Sequence, residues 1–143
     1  MKKQEEVTIK VPAGIRRGEM IRLTGAGEAV PGGVPGDLYV QVHIKPHHLF
    51  RREGNNIATD TDIKLTDALL GKEVILKTLE GDQISIKIPK GVSSGEILRI
   101  KGKGVPIDGK RRGDLMVKIN IKTPTKLSRK ALRLIKELKE EGV

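Results

Sequence analysis

The chain repeats itself. Residues 7–45, opening "VTIKVPAGIRRGEMIRLTGAG", return as residues 84–122, opening "ISIKIPKGVSSGEILRIKGKG", at a constant offset of 77 and without a gap. Sixteen of the 39 aligned positions are identical, and eight more exchange one large aliphatic side chain for another. Any fold for these 143 residues must therefore hold one small unit twice, with a modest core.

The pattern inside each copy says what the unit is. Val7, Ile9 and Val11 alternate with Thr8 and Lys10; Leu38, Val40, Val42 and Ile44 alternate with Tyr39, Gln41, His43 and Lys45. The second copy does the same with Ile84, Ile86 and Ile88, and with Leu115, Val117, Ile119 and Ile121. A period of two predicts strands with one buried face and one wet face. "PAG" and "PKG" break the strands at turns, and the glycines of "GAG" and "GKG" permit positive φ. Each copy reads as a small antiparallel β unit.

The segment between the copies completes the second. "EGNN" predicts a turn and "IATDTDIKL" a strand carrying Ile57, Thr59, Thr61 and Ile63 on one face. "TDALLG" predicts a helix of one or two turns, capped by Thr66 or Asp67 and closed by Gly71, and "LEGD" predicts a hairpin turn. Only six residues precede Val7, so the first copy lacks such a segment, and the expectation is a chain that starts inside its first domain. After "KTPTKL" the period changes. Leu127, Ala131, Leu134 and Leu138, widened by Leu132 and Ile135, make one face of an amphipathic helix with Ser128 as N-cap. That helix is too short to stand alone, so its stripe must pack on its own domain or on a second chain. The fold class read here is all-β: two tandem β-sandwich-like domains, the first truncated, then a C-terminal α-helix. Their bounds are 1–48, 49–124 and 125–143.

Composition narrows function. One Tyr, one Phe and no Trp leave Tyr39 and Phe50 as the whole of any aromatic contact surface built from Phe, Tyr and Trp. No cysteine occurs, which removes disulfides and thiolate-bound zinc from this chain and fits a reducing, cytoplasmic setting. No apolar run is long enough to span a membrane. The net charge of +10 lies wholly in residues 84–143, where 16 Lys/Arg face 6 Asp/Glu, a field that draws acidic partners of several kinds.

Candidate chemistries fail one by one. "GVPIDGKR", Gly104 to Arg111, comes close to a phosphate loop, but Arg111 stands where Ser or Thr would hold magnesium, and a strand follows where a helix is needed. "GAGEAV" lacks the third glycine of a dinucleotide fingerprint. His43, His47 and His48 have no further ligands at a familiar spacing, so no metal site is expected. No catalytic constellation is found, and the chain is expected not to be an enzyme.

The repeat, "PAG", "GDLYVQVHIKPHHLFRREGNNI", and "ALLG…LEG…IKIPKG…GKGVP…GDL" closely resemble the C-terminal region of DnaJ-type co-chaperones. The resemblance implies two tandem β-sandwich domains that bind unfolded polypeptides and a C-terminal element that pairs two chains. It implies that Phe50 lines a peptide groove, with the apolar side of the opening strand, Val7, Ile9 and Val11, beside it. It further implies that the aromatic meets the acidic tail of the 70-kDa heat-shock chaperone, and that Leu127, Ala131, Leu134, Ile135 and Leu138 form a homodimer interface. The "HPD" that triggers ATP hydrolysis in the partner is absent here, as are the "CxxCxGxG" repeats that bind zinc in one branch of the family. The chain resembles the region downstream of that zinc module, so it is expected to need no cofactor of its own. The alternative is a basic β-rich nucleic-acid-binding protein, for which the charge suits but the stacking aromatics are lacking.

Overall fold

The structure, a computed structural model, describes residue 6, residues 8–25 and residues 36–143. Among these residues eight strands and two helices run in the order β1 (Met20–Leu23), β2 (Leu38–Gln41), β3 (Phe50–Glu53), β4 (Asn56–Lys64), α1 (Leu65–Leu70), β5 (Lys72–Lys77), β6 (Gln83–Ile88), β7 (Ile97–Ile100), β8 (Leu115–Lys122) and α2 (Arg129–Glu140). Strands dominate, as the period-two alternation requires. They form three sheets ordered β1-β2, β3-β4-β8-β7 and β5-β6.

The duplication extends to individual hydrogen bonds. β1 and β7 match at the offset of 77 from first residue to last, and β2 matches the start of β8. In the first copy the Gly18 N–H donates to the Val42 carbonyl and the Val42 N–H to the Glu19 carbonyl. In the second, Gly95 donates to Ile119 and Ile119 to Glu96. Gly14, Gly18 and Gly25 have φ of 81°, 87° and 75°; their counterparts Gly91, Gly95 and Gly102 have 75°, 89° and 75°. Such values explain why these glycines recur.

The described residues fall into two compact units. One comprises Met1–Thr59 and Arg99–Met116, the other Asp60–Leu98 and Val117–Val143. Ile57, Ala58, Thr59, Val105 and Leu115 are buried in the first. Ile63, Ala68, Ile86, Ile88, Val92, Val117 and Ile119 are buried in the second.

Several local expectations need correction. Residues 8–11 are not a strand, although their counterparts lie in β6. β6 is held by the ladder to β5, Val74 opposite Ile86 and Leu76 opposite Ile84. Residues 8–11 have no ladder partner among the described residues, and an extended segment without one is not a strand. Val7 lies outside the described residues, as does most of "GAGEAV". β2 ends at Gln41, and Ile44, expected inside, is exposed. α1 starts at Leu65 with Lys64 as N-cap and no side-chain cap, rather than at Thr66 or Asp67. Gly71 closes it as expected, with φ 84° and its N–H donating to the Asp67 carbonyl.

The turns follow the sequence. Gly54, φ 62°, carries the β3–β4 hairpin, and the Thr78 N–H donates to the Asp82 carbonyl around "LEGD". The segment resembling a phosphate loop is a hairpin: Pro106 bridges Arg112, and the Ile107 N–H donates to the Arg111 carbonyl.

Candidate functional site

Phe50 opens β3; it is half-buried and stands opposite Thr59 of β4. A β-branched neighbour across an antiparallel pair suits an aromatic ring. The approach to Phe50 is fixed by local bonds. The Leu49 N–H donates to His47 Nδ1 at 3.0 Å, and the Thr59 hydroxyl donates to the Leu49 carbonyl at 2.8 Å. His47 and His48 stack with centroids 4.7 Å apart, and His47 leans on Phe50 at 5.2 Å. The imidazoles thus extend a ring surface that a count of Phe and Tyr leaves out. Leu49 stands 56% exposed beside them.

Arg52 ties this strand to the first copy. Its guanidinium donates to the carbonyls of Ile15 (2.7 Å), Gly14 (2.9 Å) and Gly54 (2.8 Å). Gly14 and Ile15 close the turn that follows Ile9 and Val11, so the two candidate segments are anchored in the same unit. A side chain at Gly14 would strike the Pro106 carbonyl oxygen, so the approach needs glycine. Ile9 is half-buried and Val11 is 58% exposed, whereas its counterpart Ile88, under the β5–β6 pairing, is 1% exposed. The same strand sequence is core in one copy and apolar surface in the other.

Sequence reasoning passed over Arg52 because its partners lie 37 and 38 residues away. It also passed over a buckle present in both copies. Asp37 accepts from Arg22 and from the Gly25 N–H; Asp114 pairs with Arg99 and accepts from the Gly102 N–H. The signal was available, since Arg, Gly and Asp are all identical at the offset.

The other candidate surface is α2. The Ser128 side chain accepts from the Ala131 N–H and caps the helix as expected. Leu127, Leu132, Leu134, Ile135 and Leu138 are all exposed, Ala131 is half-buried, and no residue of the helix is buried. Among the described residues nothing buries its apolar face.

Charged loops offer little chemistry. Asp108 caps its own turn, and its carboxyl is held below the usual range by the N–H of Lys110, then by the Arg111 side chain and N–H. Arg111 is thereby engaged locally. Among the described residues no group of three His, Cys, Asp or Glu could hold a metal, and no helix is long and apolar enough to cross a membrane.

Residues 1–124 match the family described as the DnaJ C terminal domain. The chain belongs to that family. The DnaJ C-terminal assignment agrees with the strand-dominated architecture of the matched residues, and α2 follows them. A curated relative, the chaperone protein DnaJ of Zymomonas mobilis, is 41% identical over 140 residues. The alignment covers 96% of this chain and 37% of that relative, so the chain spans little more than a third of its length. The family is one of co-chaperone domains, and nothing in the geometry favours the nucleic-acid alternative.

Proposed function

We propose that this chain is the polypeptide-holding part of a DnaJ-type co-chaperone, serving the 70-kDa heat-shock chaperone by presenting unfolded clients. One observation carries the reading: in a member of this family, Leu49 is exposed beside half-buried Phe50, and Arg52 of the same strand holds the turn that follows exposed Val11. Exposed apolar side chains held next to a sheet strand suit a flexible, aliphatic client segment. The site is taken to include Val7, Ile9, Val11 and Phe50, as the family resemblance implies. The chain acts without catalysis and without a cofactor of its own, in the cytoplasm; any zinc of a longer parent would sit in a cysteine-rich module outside this sequence. Two chains pair through Leu127, Ala131, Leu134, Ile135 and Leu138. Functionally the chain divides as the repeat suggests, at 1–48, 49–124 and 125–143.

The test is anisotropy of a labelled, permanently unfolded client titrated with the chain. Leu49→Ala and Phe50→Ala should each weaken binding by roughly tenfold, the loss expected for about 1.4 kcal/mol of apolar contact. Affinity should change little between low and moderate salt, unlike phosphate binding. Folded variants that bind as tightly as the parent would refute the site.

A further inference from the structure

The step into β3 hangs on one imidazole nitrogen. His47 Nδ1 accepts the Leu49 N–H at 3.0 Å, and the His47 ring leans on Phe50 with centroids 5.2 Å apart. A ring nitrogen that accepts must be bare, so neutral His47 carries its proton on Nε2. Both His47 and His48 are exposed, within reach of water. A proton on Nδ1 turns the acceptor into a donor and breaks the bond to the Leu49 N–H. It also sets a cation 4.7 Å from the stacked ring of His48, and two charged imidazoles that close repel.

The groups around His47 do not offset that charge. Arg52, on the Phe50 face of β3, is itself a cation and spends its guanidinium on the carbonyls of Gly14, Ile15 and Gly54. Thr59, opposite Phe50, donates to the Leu49 carbonyl. By the register, Arg51 and Glu53 of β3 and Asp60 and Asp62 of β4 belong to the other face. Ahead of His47 in the chain stand His43 and Lys45. Among the described residues neither His47 nor His48 enters an ion pair.

We propose that His47 is a positioning residue for client binding, holding Leu49 and Phe50 in place through Nδ1 and releasing them when that nitrogen is protonated. This rests on the client-holding reading and gives it a pH dependence. Imidazole is the side chain that ordinarily changes charge between about pH 8 and 5. The chain therefore holds an apolar segment more firmly at neutral than at mildly acidic pH.

The probe is a labelled, unfolded aliphatic peptide without His, Asp or Glu, so that only the chain titrates, followed by anisotropy at about pH 7.5 and about pH 5.5. The parent chain should bind it roughly threefold to tenfold more weakly at the lower pH, the factor that one hydrogen bond is worth. His47→Asn places Oδ1 where Nδ1 stood, an acceptor for the same N–H that does not titrate, as in an Asx turn. Its affinity should be equal at both pH values. His47→Ala should bind weakly at both, and His48→Gln should keep the dependence. In NMR spectra the Leu49 amide proton should move in step with the His47 ring as pH falls. A parent that is flat with pH, a dependence that survives in His47→Asn, or a Leu49 amide that stays still while His47 titrates would overturn the role. Absence of binding by the folded parent at either pH, with the Leu49 amide still following His47, would overturn the client-holding reading and the pH dependence with it, leaving only the bond.

Discussion

Two glycines at one repeat position have opposite burdens. Gly36 and Gly113 are partners at the offset of 77, each preceding the "DL" that enters a strand. A Cβ at Gly36 would meet nothing within 4 Å, whereas a Cβ at Gly113 would land on the Asn55 carbonyl oxygen. Gly104 is crowded by the same carbonyl, and the Gly104 N–H donates to Gly113 at 2.8 Å while Val105 donates to Asn55 at 2.9 Å. No side chain can yield there, because backbone meets backbone. Gly113→Ala is expected to cost about 3 kcal/mol or more, and Gly36→Ala to stay within about 1 kcal/mol. Denaturant melts of the two variants check this, and equal midpoints would show that the seam at Asn55 adds nothing to stability. From the sequence the two glycines look alike. What separates them is a chain passing 58 residues away, seen also where the Asp114 N–H meets the Asn56 side chain.

Strands were legible where one face is buried in the chain itself. β4, β6 and β8 carry Ile57, Ile63, Ile86, Ile88, Leu115, Val117 and Ile119 inward, as their alternation states. The Ser128 cap and the Gly71 closure were legible because both are local chemistry. The loss of a strand at residues 8–11 was not, since alternation records a wet face and a dry face but not whether a partner strand exists. Phe50 opening a strand was likewise hidden by its neighbours "PHHL". The same pairing difference sets relative stability. Among the described residues β2 pairs with β1 alone, while β8 lies between β4 and β7. Hydrogen exchange should therefore be faster in Met20–Leu23 and Leu38–Gln41 than at the matching positions Ile97–Ile100 and Leu115–Lys118, by an opening difference of about 1 kcal/mol or more. Equal protection would mean that the first copy is shielded by something other than its sheet.

At the scale of the whole molecule the open stripe of α2 decides behaviour in solution. A short helix with five exposed large apolar residues on and beside it is poorly stable in isolation. The pairing proposed above is expected to make the melting temperature of the chain rise with protein concentration. Leu134→Ala with Leu138→Ala should remove that dependence, at about 2–5 kcal/mol per interfacial leucine. A melting temperature that is flat across a hundredfold range of wild-type concentration would exclude pairing. The chain should also leave ATP hydrolysis by a 70-kDa heat-shock chaperone unstimulated, since it carries no "HPD"; a single-turnover assay with the pure chain measures this.

Neither compact unit is a continuous stretch of sequence. The first needs Arg99–Met116 to join Met1–Thr59, and the second needs Val117–Val143 to join Asp60–Leu98. On a ribosome, which adds roughly 5–20 residues each second, the amino-terminal half of the chain emerges while the insert that completes it is still being made. The first unit can close only after residue 116 has left the exit tunnel, and the second only once the last strand and helix emerge. Each unit thus waits, during synthesis, for a segment that lies in sequence beyond part of the other.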